Sequence, residues 1–356
     1  MTLRPDPTFW SGKRVLVTGH TGFKGGWLAT WLTSMGAETH GLALEPPSGP
    51  SLFRVADVAD GMASSTIGDI RDATGVRAVV SRVRPEVVFH LAAQALVRES
   101  YERPVETYEV NVMGTVHLLE AVRTSPGATA LVNVTSDKCY ENKEWPWGYR
   151  ESDPMGGHDP YSSSKGCAEL VTAAYRRSFL AGAGVAVSTA RAGNVIGGGD
   201  WARDRLVPDI FRALDTHTTL RIRSPKATRP WQHVLEPVAG YLMLAERLYA
   251  AGATFAESWN FGPDEDAVRP VRWVVEHLVS RYPGLSWEGD TSDQPREAHS
   301  LKLDSSKARD RLGWRPRWPL AKALEKTAEW HDGWKQGRDM HATTRAHIDE
   351  YLQDDA

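Results

Sequence analysis

Short β-branched runs alternate with helical segments along the first half of the chain, and this alternation most constrains the fold. The runs lie at 14–19, 39–44, 87–93, 130–136 and 185–192. Their apolar residues are nearly continuous, which is typical of strands that helices cover on both faces. The pattern predicts an α/β fold built on a doubly wound parallel sheet.

A glycine-rich loop joins the first run to the first helical segment. It has the form Gly19-x-x-Gly22-x-x-Gly25, with Phe23 between the last two glycines. Glycines let the backbone turn tightly and approach a pyrophosphate, which the N-terminus of the following helix attracts. The strand before the loop and the helix after it supply the required context. We therefore expect a Rossmann-type dinucleotide site.

Composition and charge exclude several classes of partner. The 356 residues carry a formal net charge of -3, which gives no electrostatic footprint for nucleic acid. No apolar run approaches the roughly 18 residues of a spanning helix, so we expect no membrane partner and a cytoplasmic location. The two cysteines, Cys139 and Cys167, form neither a disulfide framework nor a metal-ligand spacing, so no metal is expected. The partner predicted is a small molecule.

The rhythm of strands and helices loosens after residue 195. We predict a dinucleotide-binding domain at 1–195 and a smaller, mainly substrate-binding region at 196–356, with a segment near 231–262 returning to the first domain. An irregular stretch at 141–160, rich in Gly, Pro, Asp and Trp, separates two groups of polar residues. A loop of this length inside a compact domain is usually functional.

Those two groups contain the candidate catalytic residues. Tyr161 and Lys165 are four residues apart, so a helix places them on one face. An ammonium beside the phenol, together with a nearby ribose, is expected to lower the tyrosine pKa from about 10 toward neutrality and to make it a base. The other group is Ser136, Asp137 and Lys138. It lies at the end of the run at 130–136, where ligands bind at the edge of a parallel sheet.

Several longer stretches resemble the extended short-chain dehydrogenases/reductases, and among them the sugar-nucleotide 4,6-dehydratase family. They lie at 19–25, 92–98, 136–140, 147–150, 153–157, 161–170 and 193–200. Lysine at 138, where other members carry glutamate, is most similar to the members that act on CDP-glucose. The resemblance covers essentially the whole chain. It implies a lyase, specifically a hydro-lyase, that forms CDP-4-keto-6-deoxy-D-glucose and water from CDP-D-glucose.

The resemblance also implies roles for individual residues. Tyr161, Lys165 and Ser136 oxidise carbon 4 of the sugar by hydride transfer, and the pair Asp137 and Lys138 removes water across carbons 5 and 6. The implied cofactor contacts are Gly19, Gly22, Phe23, Gly25, Asp69, Ile70, Ala92, Ala93, Gln94, Asn111, Tyr161 and Lys165. The implied substrate contacts are Gln94, Asn194, Arg229, Arg296 and His299. The implied cofactor is NAD. NADP stays open as an alternative, because Glu45, the candidate acid after the second strand, is poorly placed to bind the ribose.

Some alternatives stay open at this point. Asp137 is assigned as the acid and Lys138 as the base, but the reverse assignment is also consistent with the sequence. A 4-epimerase would need Tyr161 and Lys165 without the Asp137–Lys138 pair, and an inactive dinucleotide sensor usually lacks the tyrosine or the lysine. Apolar residues beyond one face of the helices near 105–123 and 161–179 predict a homodimer or homotetramer. The family further implies a place in deoxysugar biosynthesis of the lipopolysaccharide O-antigen kind.

Overall fold

The computed structural model describes residues 4–46, 49–290 and 300–354. The strands are β1 Arg14–Thr18, β2 Glu38–Ala43, β3 Ser64–Ile67, β4 Val87–His90, β5 Ala130–Val134, β6 Ala186–Ala192, β7 Asn194–Ile196, β8 Leu220–Ile222, β9 Thr228–His233, β10 Ser258–Phe261, β11 Val268–Pro270 and β12 Trp287–Gly289. The α-helices are α1 Pro7–Trp10, α2 Phe23–Ser34, α3 Leu52–Val55, α4 Ala73–Val83, α5 Val97–Glu102, α6 Pro104–Tyr108, α7 Gly114–Thr124, α8 Pro160–Tyr175, α9 Leu206–Thr216, α10 Leu235–Ala251, α11 Val271–Arg281, α12 Leu320–Lys335 and α13 Met340–Gln353. Single π-helical turns lie at Glu109–Met113, Arg176–Leu180 and Ala308–Leu312.

A seven-stranded parallel sheet forms the centre of the molecule, in the order β10-β6-β5-β4-β1-β2-β3. The chain runs outward from β1 to β3 and then returns to β4 on the other side of β1. In such sheets ligands bind beyond the carboxyl ends of the strands, next to this change of direction. The prediction of a doubly wound parallel α/β sheet is confirmed.

Helices cover both faces of the sheet. Helices α2 and α10 cover one face, and α13 packs on α2; Trp27, Trp31 and Tyr351 are fully or almost fully buried there. Helices α4 and α7 cover the other face. The strands are therefore apolar on both sides, which explains why their sequence runs are continuous rather than alternating.

The C-terminal region has its own core between α9, β8, α11 and α12. Two small sheets, β11-β9-β7 and β12-β8, support it. Two later segments also join the first half: β10 pairs with β6 at the edge of the large sheet, and α13 packs on α2. The proposed division at residue 195 stays a prediction. In the part of the chain described here, no helix is both long and apolar enough to cross a membrane.

Candidate active site

A cavity of about 750 Å³ lies between the large sheet and the C-terminal region. Its inner end is lined by the polar residues Ser136, Asp137, Lys138 and Tyr161. Its outer end is formed by the beginning of α9, by β8 and by the charged residues Arg98, Asp204 and Arg223. The two predicted catalytic groups, which the irregular 141–160 stretch separates in sequence, thus share one cavity.

A single helical turn, Asp137–Cys139, carries the acid of the inner end and follows β5 directly. Ser136 caps this turn: its hydroxyl accepts a hydrogen bond from the Lys138 N–H at 3.2 Å and donates one to Asp137 Oδ1 at 3.0 Å. Gly193 leaves room for the carboxylate, because a Cβ there would lie 3.1 Å from Asp137 Oδ2. We call residues 136–139 the catalytic turn.

Burial raises the pKa of Asp137, although the charge of Lys138, the hydrogen bond from Ser136 and the charges of Lys24 and Arg229 oppose the rise. The carboxyl group is only 5% exposed. Its protonated form is therefore more populated than that of an exposed aspartate at the same pH. This is the state that a proton donor needs.

Helix α8 brings Tyr161 and Lys165 to the inner end. Asp159 caps the helix by accepting hydrogen bonds from the Ser162 N–H at 2.8 Å and the Ser162 hydroxyl at 2.6 Å. Tyr161 lies beside Ser136, whose side chain counteracts part of the rise that burial causes in the pKa of Tyr161. Tyr161 and the turn at 136–139 thus lie side by side in the cavity, and Lys165 follows one turn further along α8.

The pKa values of this pair differ from the sequence-based expectation. Burial lowers the pKa of Lys165 to about 8 and raises that of Tyr161 to about 12. The protein alone therefore does not bring the phenol toward neutrality. Burial disfavours both the ammonium of Lys165 and the phenolate of Tyr161, so formation of the phenolate needs further positive charge beside it.

Asn111 lies in the π-helical turn between α6 and α7 and links two parts of the site. Its amide donates to Ser164 Oγ at 2.8 Å and to the Gln94 carbonyl at 3.0 Å, while its oxygen accepts from the Gln94 N–H at 2.9 Å. Ser164 precedes Lys165, so the asparagine holds the helix position next to the lysine. The Gln94 side chain itself bonds Leu96 and Thr107.

The glycine loop is packed too tightly for any larger residue. Gly19 has a φ of +79°, and a Cβ on it would lie 2.7 Å from the Ala92 nitrogen. A Cβ on Gly25 would lie 2.1 Å from the Gly19 carbonyl oxygen. The N–H groups of the first turn of any helix have no intrahelical acceptor. In α2 no side chain of Gly22 caps them. The loop fits the pyrophosphate of a dinucleotide.

The other predicted cofactor residues lie along the same edge of the sheet. Asp69 and Ile70 follow β3, and Ala92 and Ala93 follow β4. The Asp69 carboxylate accepts from the Arg71 guanidinium at 2.6 Å, and this hydrogen bond holds the pKa of Asp69 below its usual value. Asp69 is therefore a carboxylate acceptor at the rim of the predicted dinucleotide site.

An ion-pair cluster dominates the outer end. Asp204 Oδ1 lies 3.3 Å from Arg98 Nη1 and 3.4 Å from Arg223 Nη1. Arg98 belongs to α5 of the first half, whereas Asp204 and Arg223 belong to the C-terminal region, so the cluster spans the cavity. Asn194 and Arg229, both predicted substrate contacts, line the cavity as well.

Sequence reasoning assigned no role to several charged residues of the cavity, namely Lys24, Arg98, Asp200, Asp204, Arg205 and Arg223. Lys24 lies inside the glycine loop and Arg98 inside a stretch used for the resemblance, so their positions were available signals. Arg296 and His299, two predicted substrate contacts, lie outside the described residues.

Comparison with known proteins places these observations in a family. The family model for GDP-mannose 4,6 dehydratase matches residues 16–327. The chain is 54% identical over 353 residues to a CDP-glucose 4,6-dehydratase from Salmonella typhimurium, covering 98% of each chain. It is 26% identical over 344 residues to a dTDP-glucose 4,6-dehydratase from Xanthomonas campestris, covering 90% of this chain and 95% of that one.

Solved structures share the fold at lower identity. DesIV from Streptomyces venezuelae, a dTDP-glucose 4,6-dehydratase with NAD and TYD bound, has a TM-score of 0.78 at 24% identity, covering 92% of this chain and 99% of that one. A UDP-glucose 4-epimerase from Thermotoga maritima has a TM-score of 0.76 at 21% identity, covering 91% and 99%. The fold alone therefore does not separate dehydratase from epimerase, whereas sequence similarity over the whole chain does. The chain belongs to the GDP-mannose 4,6 dehydratase family of nucleotide-sugar dehydratases.

Proposed function

We propose that this enzyme converts CDP-D-glucose to CDP-4-keto-6-deoxy-D-glucose and water, with NAD as its cofactor. The observation that carries the proposal is one cavity lined by Tyr161, Ser136, Asp137 and Lys138 together. The 54% identity to a CDP-glucose 4,6-dehydratase supports the choice of nucleotide. The glycine loop fits the pyrophosphate of a dinucleotide, and because DesIV was solved with NAD, we take NAD rather than NADP.

Oxidation at carbon 4 comes first. Tyr161 takes the proton of the 4-hydroxyl, and Ser136 hydrogen-bonds the same hydroxyl. Lys165 provides the positive charge beside Tyr161 that favours the phenolate. The glycine loop would hold NAD, which would supply an acceptor for the hydride of carbon 4 and a source of the same hydride for carbon 6.

Loss of water follows, because a 4-keto group acidifies the proton on carbon 5. Lys138 takes this proton, and Asp137 gives a proton to the departing 6-hydroxyl. The raised pKa of Asp137 supports its assignment as the acid. Lys138, next to it on the catalytic turn, is then the base, and the proton that carbon 5 regains comes from the solvent through it.

The position of Ser136 supports a closed proton balance. Ser136 lies beside Tyr161 and donates a hydrogen bond to Asp137 Oδ1 at 3.0 Å. The proton that leaves the 4-hydroxyl therefore has a short route past Ser136 to the acid that forms water. Asn194, Arg229, Arg296 and His299 are proposed to bind the diphosphate and the nucleoside.

Deuterium labelling tests this proposal. With CDP-glucose deuterated at carbon 4, we expect the label at carbon 6 of the same product molecule and solvent hydrogen at carbon 5. The Lys138→Met variant should still oxidise carbon 4 but should not exchange the carbon 5 proton. Unchanged exchange in this variant would reject the base role of Lys138, and absence of label at carbon 6 in the wild type would reject the reaction.

A panel of CDP-, dTDP-, GDP- and UDP-glucose tests the nucleotide. We expect the highest kcat/KM for the cytidine nucleotide. A higher kcat/KM for another nucleotide would contradict the proposal that CDP-glucose is the substrate, but it would not contradict the proposed dehydration. The same assay with NADP in place of NAD tests the cofactor.

We also propose that the enzyme is a homodimer or homotetramer in the cytoplasm. Large apolar side chains are exposed on α6 and α8, with Val105 at 69% and Leu170 at 61% exposure. Phe179, in the π-helical turn after α8, is 49% exposed. Helices with such faces pair in dimers. The Leu170→Glu variant should shift the sedimentation coefficient toward that of a monomer.

A further inference from the structure

A buried ion pair lies directly behind the catalytic turn. Arg191 on β6 donates to Glu169 on α8 twice, from Nε to Oε1 at 2.9 Å and from Nη2 to Oε2 at 2.7 Å. Both side chains are only 3% exposed. Burial alone would raise the pKa of Glu169, but the charge and the hydrogen bonds of Arg191 lower it, so the carboxylate stays charged. A two-pronged contact of this kind fixes distance and orientation together.

This ion pair holds the catalytic turn at both of its ends. The Thr135 hydroxyl, just before Ser136, donates to Glu169 Oε1 at 2.5 Å. Arg191 Nη1 donates to the Tyr140 hydroxyl, just after Cys139, at 2.6 Å. The Tyr140 hydroxyl in turn donates to Asn260 Oδ1 on β10 at 2.7 Å. All of these groups are buried, so water does not compete for the hydrogen bonds.

The same ion pair also holds the helix that carries the redox residues. Glu169 lies on α8 one turn after Lys165 and two turns after Tyr161. Helix α8 and the catalytic turn therefore share one rigid support, although different parts of the chain form them. The catalytic turn also packs directly against α8. The ion pair adds hydrogen bonds just before and just after residues 136–139, so it fixes the position of Asp137 relative to Tyr161.

We propose that Thr135 and Tyr140, acting through the Glu169–Arg191 pair, are positioning residues that keep the Asp137–Lys138 pair in register with Tyr161. This inference rests on the proposed function. Its consequence concerns the order of events: oxidation at carbon 4 takes its base from α8 and only a hydrogen bond from Ser136 on the catalytic turn, whereas loss of water takes both its acid and its base from that turn. Loosening the turn should slow dehydration far more than it slows the first hydride transfer.

The variants must avoid the ion pair itself, because removing one member leaves a buried unpaired charge and the protein can fail to fold. Thr135→Val keeps the shape and removes the hydroxyl. We expect dehydration to fall about 10-fold or more, since small misplacements of catalytic groups cost that much or more. Single-turnover formation of reduced cofactor should change less than about threefold. A smaller share of deuterium from carbon 4 should reach carbon 6, and Tyr140→Phe should act in the same direction.

Thr189→Val is the matched control. The Thr189 hydroxyl donates to Glu169 Oε2 at 2.7 Å and is also buried, but Thr189 belongs to β6, and its side chain makes no hydrogen bond to residues 136–139. The variant loses the same kind of hydrogen bond to the same carboxylate. We expect a similar loss of thermal stability and a normal share of deuterium at carbon 6. Thr135→Ser, which keeps the hydroxyl, should restore dehydration.

The outcomes separate the two claims. If Thr135→Val and Thr189→Val lower dehydration equally, or if Thr135→Ser restores nothing, the positioning role is wrong while the proposed reaction stands. If Thr135→Val slows both hydride transfer and dehydration by the same factor, the role is again wrong, because the turn is then no more affected than α8. If the wild type delivers no label to carbon 6, the proposed function falls and the inference falls with it.

Discussion

The two ends of the cavity handle charge in opposite ways. At the inner end the titratable groups are buried, and burial raises the pKa of Asp137, lowers that of Lys165 to about 8 and raises that of Tyr161 to about 12. At the outer end the side chains of Arg98, Arg223 and Asp204 form ion pairs and stay 32%, 23% and 40% exposed. In this cavity the groups proposed to exchange protons are the buried ones, whereas the groups proposed to hold the anionic substrate are paired and partly exposed.

The largest expected effect is at the inner end. Tyr161→Phe removes the proposed base and should lower kcat about 1,000-fold, within the range for loss of a general base. Binding of the nucleotide sugar, measured by calorimetry, should change little because the outer end is intact. Retention of a tenth of the wild-type kcat would contradict the role of Tyr161.

Lys165→Met should abolish turnover and yet stabilise the fold. Burial lowers the pKa of Lys165 from 10.5 to about 8, so the folded protein disfavours the ammonium. Below pH 8 the wild type bears this whole cost, about 3 kcal/mol, and the cost disappears as the pH rises from 8 to 10.5. The gain in free energy of unfolding should therefore be largest at pH 7 and vanish above pH 10.5. A gain that is independent of pH would contradict the sign of the shift.

A smaller, purely binding effect is expected at the outer end. Arg98→Ala removes one cation of the Asp204 cluster and should raise KM for the nucleotide sugar about 10-fold with kcat unchanged. The effect should weaken at high salt, since these charges are partly exposed. Arg272→Ala is a suitable control, because Arg272 pairs with Glu276, is 63% exposed and does not line the cavity. A fall in kcat at constant KM would show that Arg98 acts in catalysis rather than in binding, and the two ends would then not differ in role.

The smallest effect concerns the support of the inner end. Asp159→Ala removes the N-terminal cap of α8 and should cost about 1 kcal/mol of unfolding free energy. Asp339→Ala removes an equivalent cap from α13, where Asp339 accepts from the Ala342 N–H at 2.9 Å. Both variants should lose similar stability in urea, but the first should also lower kcat. An equal kcat in the two variants would show that the cap of α8 does not contribute to catalysis.

Much of this architecture follows from local sequence. The predicted runs at 14–19 and 130–136 are β1 and β5 to within two residues, because strands buried on both faces are continuously apolar. Asp137 and Lys138 were assigned to the end of a strand, and ligand sites of parallel sheets lie there. The cavity that they share with Tyr161 follows from the topology rather than from any single motif.

Other features carry no local signal. Asp204 meets Arg98 across 106 positions of sequence, and Thr135 meets Glu169 across 34. Such pairs depend on how elements pack, which residue type and spacing do not encode. The protein alone raises the pKa of Tyr161, mainly through burial, and the fall expected from Lys165 together with a ribose stays a prediction. Sequence thus predicts which groups are present, and packing decides their protonation.

The pairing of β10 with β6 has a consequence for how the protein is made. Residues 258–261 complete a sheet whose other strands all lie before residue 193. While the ribosome is still translating the intervening 65 or so residues, β6 presents an unprotected edge, and such edges invite pairing with other nascent chains. A nascent polypeptide arrested before residue 258 should therefore aggregate or recruit chaperones, and release from them should coincide with emergence of that strand from the exit tunnel.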